Sequence, residues 1–390
     1  MMRTQLPQVR QSLDSHPGLL LQRYVAHPAD GSERWSQAKR EIHAAAHSAV
    51  PCELYKTAFA RWEKSLAESN VATYVLQTAG RLIVGLGSEN VLETGIRLHH
   101  TYGLPIIPGS ALKGLAAHYC DQIWGERDNR NPPDEALKFR GPRREDRKAN
   151  LSAEPRGDYH SLLFGNTDDS SCIVFHDAWF VPGSEKEPLK LDVMTPHHSD
   201  YNRNPENDPK FRAPTDFDSP IPVPFLSVAG KFLIAVSWHG PEHNQSGKWT
   251  ELALSLLRDA LFEWGVGGKT SSGYGRFDKA KWEADELFRQ KEATQRQKEA
   301  EEAAALAVMS PLDRKIKEFL DNYPNHAESR IWFKLYDELR KSDGRFQSQE
   351  ERIEIARLVK QGMQAAKIWK DKGKDGERKK FIETILGDTP

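Results

Sequence analysis

The chain has 390 residues, 38% apolar and 28% charged, with a formal net charge of −1; it can bury more than one core and carries no global charge to draw it to nucleic acid or a membrane surface. Cys52, Cys120 and Cys172 stand far apart without a CxxC pair, which argues against a zinc site and a disulfide framework. No apolar run nears the roughly 18 residues of a membrane span and the N-terminus lacks a signal-peptide core, so the expected location is the cytoplasm, with no membrane partner.

Residues 1–77 read as a largely helical N-terminal extension. Helical spacing covers 34–49 and, after Pro51, 52–69, with Trp35, Ile42, Leu54, Phe59 and Trp62 as the inward face. Arg81-Leu82-Ile83-Val84-Gly85-Leu86 is apolar and bounded by glycines, so it reads as the first strand of a domain spanning 78–280. An exposed-looking Arg97-Leu98-His99-His100-Thr101-Tyr102 leads to a corner at 105–119. There Pro105 and Pro108 keep the preceding residues extended, Gly109 turns the chain, and Ser110 is expected as the N-cap of a helix. Leu112, Leu115, Ala116 and Tyr119 give that helix one buried face, and its first amides, with Lys113 nearby, could hold an anion such as phosphate.

From 125 to 159 the chain is polar, with a basic knot at Arg140, Arg143, Arg144, Arg147 and Lys148. A strand is expected over 171–179, then a second excursion containing Leu191-Asp192-Val193-Met194-Thr195-Pro196-His197-His198. Strands over 222–228 and 231–238 turn at Ala229-Gly230, and a strongly periodic helix covers 248–264. It runs into Gly265-Val266-Gly267-Gly268-Lys269-Thr270-Ser271-Ser272-Gly273-Tyr274-Gly275-Arg276-Phe277, after which the chain returns as a last strand. Glycines packed so densely cost backbone entropy and imply that the backbone approaches something closely. Residues 281–309 form a charged helical linker, and 310–390 an all-helical unit with a lysine-rich stretch at 367–380. The central order is β-α-β-β-α-β: an α+β, ferredoxin-like arrangement with long insertions, also used by the common RNA-recognition sheet.

Two nucleotide-binding motifs fail on inspection. Gly268-Lys269-Thr270 would need a glycine where Glu263 stands, and its loop follows a helix instead of preceding one; Gly85-Leu86-Gly87 has Asn90 where the third glycine belongs. The pairs His99-His100 and His197-His198 lack a carboxylate at ligand spacing, and Asp177 and Asp192 have no visible partner. No metal site, cofactor or nucleophile–base arrangement is expected. The glycine loop instead combines backbone amides at Gly267, Gly268, Gly273 and Gly275, the hydroxyls of Thr270, Ser271 and Ser272, the charges of Lys269 and Arg276, and the ring of Tyr274. That set suits single-stranded nucleic acid.

The run from Gly95 to Gly114, together with Leu163-Phe164-Gly165, Phe175-His176-Asp177-Ala178, the Asp192-Val193-Met194-Thr195-Pro196-His197 segment and 267–277, resembles the RAMP superfamily of type III CRISPR effector complexes. Within it the similarity is to the sixth-subunit family of the Cmr-type (III-B) complex. It covers about 78–280; residues 310–390 depart from the pattern. The resemblance implies an RRM-like sheet that binds guide RNA (crRNA) paired to complementary target RNA, without being a nuclease. It further implies a place at the guide's 3′ end, beside the repeated backbone subunit, a neighbouring RAMP subunit and the small helical subunit. Ser110, Lys113 and 267–276 would grip the guide backbone, and Arg97, His99, His100 and Tyr102 would contact bases or the adjacent subunit. Two rivals stand beside it: a metal-independent guide-processing endonuclease using His99 or His100 as base, and a scaffold whose glycine loop packs on protein.

Overall fold

Residues 16–23, 32–68, 71–125, 134–141, 157–198, 201–202, 206, 208, 210–220, 222–322, 331–341 and 344–387 are described in this computed structural model. The basic knot beyond Arg140 (Arg143, Arg144, Arg147 and Lys148) lies outside the described residues. The chain divides into two units, Met1–Glu286 and Leu287–Pro390.

The first unit opens with α1 (Pro17–Arg23), α2 (Ser32–His47) and α3 (Glu53–Glu68). On α3 the buried face is shifted one residue from expectation. Leu54 is 67% exposed, whereas Tyr55, Phe59 and Leu66 are buried, because they lie on one ridge at helical spacing and Leu54 lies off it. There follow β1 (Ala72–Gln77), β2 (Ile106–Ile107), α4 (Gly109–Tyr119), α5 (Asp134–Lys138), α6 (Asp158–Phe164), β3 (Ile173–Phe175) and β4 (Ala178–Phe180). Then come β5 (Leu189–Met194), β6 (Val223–Val228), β7 (Lys231–Trp238), α7 (Ser246–Glu263) and α8 (Lys279–Val308), which runs on into the second unit. The architecture is α+β.

The main sheet is antiparallel, ordered β1-β7-β4-β2, with β3 also on β7. Its centre is β7, whose run Phe232, Leu233, Ile234, Ala235 and Val236 is almost wholly buried. Helices α4 and α7 pack on each other and on these strands. The expected single strand over 171–179 is broken. Phe175 pairs with Val236 and Trp179 with Leu233, so one residue more lies on the 175–179 side than on the β7 side. That is a β-bulge, and it turns Asp177 out of the ladder. Strands β6 and β7 are consecutive but not partners: β6 pairs with β5 in a separate ribbon, and Gly230, at φ 137°, redirects the chain between them.

The expected first strand at 81–86 is not one. Leu82 makes a single bridge, to Val228, and the first strand is β1, inside the segment expected as extension. Leu82 and Ile83 are buried, which gives 81–86 the composition of a strand, but apart from Leu82, which bonds to Val228, its carbonyls bond to loops. The last strand likewise reduces to one bridge, Thr78 with Phe277.

The second unit holds α9 (Pro311–Leu320), α10 (Ile331–Leu339), α11 (Gln349–Ala365) and α12 (Gly373–Leu386). Ser310 and Ser348 accept hydrogen bonds from the Asp313 and Glu351 amides, N-capping α9 and α11. Phe319, Trp332, Leu335, Leu339, Ile355, Val359, Met363 and Ile382 are among its buried residues. Leu358 is 39% exposed, because Ile355, Ala356, Val359 and Met363 make the inner ridge of α11.

In the glycine loop, Gly267 and Gly275 have φ of 91° and 76°, and a Cβ at either would strike backbone, the Ile83 and Val266 carbonyls respectively. Gly273 has φ 87° but open space around it. Urea denaturation should show Gly267→Ala and Gly275→Ala losing about 1–3 kcal/mol or more, and Gly273→Ala sitting at the bottom of that range. Equal losses at all three would contradict this packing.

Candidate nucleic-acid interface

The carbonyls of 81–86 face two ways. Arg81 and Ile83 accept from the Gly275 and Gly268 amides, both at 2.8 Å; Val84 and Leu86 accept from Arg97 and Gly95, at 2.7 and 3.0 Å. One extended segment therefore ties the glycine loop to the strip that begins at Gly95. The strip joins the corner through the Leu98–Pro105 bridge and through His99, whose amide donates to the Leu104 carbonyl at 2.7 Å.

Within the loop the glycines divide by task. Gly265 and Gly275 are buried, while Ser271, Ser272, Gly273 and Arg276 are exposed. The close approach inferred from glycine content is made to the chain's own backbone at Ile83, Val266 and Gly275. What projects is a tight turn: Lys269 in the left-handed region at φ 59°, a 3-10 turn over Thr270–Ser272, then Gly273. Tyr274 does not stand free for stacking. Its hydroxyl donates to Asp192 Oδ2 at 2.6 Å, and its ring lies 6.1 Å from Phe225.

Asp192, which has no visible partner in the sequence, thus has several, because Arg81 Nη1 also donates to Oδ2, at 2.9 Å, and Ser227 Oγ at 3.5 Å. Burial raises the Asp192 carboxyl, but hydrogen bonds from Tyr274, the Val193 amide and Arg81 outweigh it and hold its pKa below the ordinary value. Burial, and then the Asp192 bond, push Tyr274 up to about 12. Arg81, Asp192, Ser272, Gly273 and Tyr274 line a shallow cavity of about 320 Å³.

Asp177 also has a partner. The bulge sets its Oδ1 2.7 Å from the Gly109 amide. The expected cap, Ser110, is instead the second residue of α4; Pro108 is the N-cap, without a side-chain bond. An internal carboxylate therefore stands where an external anion was expected. Lys113 Nζ donates to Ser171 Oγ at 3.1 Å, while Ser110 is exposed.

Asp177, Arg97, His99 and His100 line a cleft of about 750 Å³ with His16, Gln22, Ser88 and Asn90. Arg97 and His100 are exposed. His99 and Tyr102 are held among rings: His99 lies 4.7 Å from Tyr102 and 4.8 Å from Trp179, and Trp179 stacks on Tyr55 and Trp62. Burial lowers the His99 pKa, with Asp177 opposing and His100 and His16 adding to the fall, so its imidazole is neutral at pH 7. Among the described residues no group of three or more His, Cys, Asp or Glu side chains could hold a metal ion.

Residues 75–278 match the RAMP superfamily. The chain belongs to that superfamily. It is 34% identical over 256 residues to the CRISPR system Cmr subunit Cmr6 of Pyrococcus furiosus, covering 57% of this chain and 72% of the relative. The crystal structure of Cmr6 from Pyrococcus furiosus aligns at 33% identity over 53% of this chain and 97% of the other, with a TM-score of 0.33. A cryo-EM structure of the type III-B Cmr-beta bound to cognate target RNA aligns at 16% identity over 70% and 89%, with a TM-score of 0.44.

All the contact residues expected from the sequence fall inside the RAMP match, and the hub at 81–86 ties the loop to the strip. Arg81 and Asp192 were missed as partners because they stand 111 positions apart. The only trace in the sequence was a lone carboxylate in a polar excursion. Tyr274→Phe should cost about 0.5–1.5 kcal/mol at pH 7. The Asp192 pKa is depressed on folding, so this contribution is complete above the ordinary carboxylate value of 3.8 and fades as pH falls through the lower native value. Urea denaturation of both proteins along that acid range checks it; a difference that grows toward acid would be the wrong sign. Asp177→Ala should cost about 1 kcal/mol through the lost cap on α4, read in the same way.

Proposed function

We propose that this RAMP protein is a non-catalytic RNA-binding subunit of a type III-B CRISPR effector complex, seated at the 3′ end of the guide RNA where it caps the backbone filament. The observation that carries the reading is that the RAMP match spans the hub and every expected contact residue, on a chain 34% identical to a Cmr subunit. In it, Lys269 to Gly273, Arg276 and Ser110 meet guide phosphates, and Arg97 and His100 meet bases or the next subunit. The guide and its complementary target RNA, the repeated backbone subunit, a neighbouring RAMP subunit and the small helical subunit are its partners. No cofactor enters the reading, and the complex works in the cytoplasm.

The strand pairings support a βαββαβ core beneath this function. The bridge Thr78–Phe277, then β1, β7 and the β3/β4 pair, lie side by side, with α4 and α7 as the two crossover helices. That is the order such a core requires, the last strand being a remnant. Protein contacts of this kind read phosphate and shape and leave sequence to base pairing.

The test is RNA binding by the purified chain. Lys269→Glu with Arg276→Glu should weaken binding of a 30-nucleotide oligouridylate roughly tenfold and lower the slope of log K against log salt by at least about 1.4. Unchanged affinity would leave the scaffold reading in its place. A second reading follows from the three histidines around the cleft: neutral His99 could act as a general base. Cleavage of a repeat hairpin in EDTA, abolished by His99→Ala or His100→Ala, would replace the non-catalytic assignment.

A further inference from the structure

The lysine-rich stretch of the second unit lies outside the RAMP match, which ends at 278. Between 360 and 380 the sequence holds eight basic and three acidic side chains, in a protein of net charge −1. The charged helix α8 offers a contrast: six basic and seven acidic residues alternate along it, as on an ordinary solvated face. Across 367–374 four lysines stand against a single acid, Asp371, and the shape of the stretch is set by the fold.

Several contacts hold that shape. At the end of α11 the Lys367 and Ile368 amides donate to the Gln364 and Met363 carbonyls, at 2.9 and 3.0 Å, with Lys367 in the left-handed region at φ 58°. Trp369 packs against the apolar core of the unit, with the Lys360 and Lys379 ammonium groups 5.7 and 5.8 Å from its ring centre. The backbone of Asp371 then lies on the first turn of α12 at Gly376, where a Cβ would come within 2.6 Å of the Asp371 carbonyl oxygen. Two of the three acidic groups nearby are engaged, Asp371 with Lys379 and Asp375 with Arg378 at 3.0 Å, and the third, Glu377, is exposed. Lys367, Lys370, Lys372 and Lys374 are all exposed, and none of them has an ion pair among the described residues. The uncapped first turn of α12, with Lys372 at the N-cap position, adds charge of the same sign.

A turn held by structural ion pairs that leaves four lysines outward is an array of point charges on flexible stems, which meets phosphates through charge alone. We infer that this turn is a second RNA-binding surface, separate from the RAMP loop, which grips the phosphate backbone of an RNA strand through Lys367, Lys370, Lys372 and Lys374. Contacts with phosphates alone would make it indifferent to sequence.

The test uses the full chain and a fluorescent 30-nucleotide oligouridylate, titrated across a salt series. Four variants are compared: Lys367→Gln/Lys370→Gln/Lys372→Gln/Lys374→Gln, the same four positions as Lys→Arg, the Lys269→Glu/Arg276→Glu loop variant, and the loop variant combined with the four glutamines. The four glutamines should lower the salt slope by about 2.8, the four arginines should restore it, and the combined variant should lose the salt-dependent binding left in the loop variant. A slope unchanged by the glutamines in both backgrounds overturns the inference, as does loss of binding to polyglutamate in place of RNA, which would assign the turn to an acidic protein partner. An unchanged thermal midpoint keeps a folding defect from imitating the result. The loop variant alone decides the RAMP reading, so either proposal can fail without the other.

Discussion

Six residues outside the main sheet tie the glycine loop to the strip that leads into the corner. The segment 81–86 sends the Arg81 and Ile83 carbonyls to the glycine loop and the Val84 and Leu86 carbonyls to the strip at 95–97. Its buried side chains, Leu82 and Ile83, keep water from competing for those bonds, and an unmade bond there would leave a buried polar group at a cost. Glycine at 267 and 275 follows from the same constraint, since only a residue without Cβ lets the loop backbone lie this close.

The geometry of the loop is a consequence of that anchoring. Its two flanks are held, so the turn from Lys269 to Gly273 is presented as a rigid projection. Tyr274 adds a side-chain tie to Asp192, within the β5–β6 ribbon, and Arg81 closes the triangle. A glycine-rich sequence, which on its own would keep its backbone freedom, thereby becomes an ordered surface.

The bulge between β3 and β4 plays a comparable part at the corner. One extra residue in the ladder carries Asp177 to the Gly109 amide, so the positive end of α4 is answered from within. That turns a general anion site into a joint between sheet and helix. It also puts Asp177 on the wall of the cleft beside Arg97 and His99, where its charge opposes the fall in the His99 pKa.

Local pattern in the sequence was enough for the α+β class, the extents of α2, α3 and α7 within a few residues, the glycine loop, and the helical character of the last 80 or so residues. Helical periodicity and the φ demands of glycine act over a few positions and are written in neighbouring residues. Only the tertiary structure decided which apolar run became a strand. Residues 81–86 are the more aliphatic run and 72–77 the strand; the difference lies in whether β7 or mainly a pair of loops takes their hydrogen bonds. The same holds for the partners of Asp192 and Asp177 and for the one-residue shift that buries Tyr55 in place of Leu54. Each depends on groups distant in the chain meeting in space, and no window of sequence contains both members of such a pair.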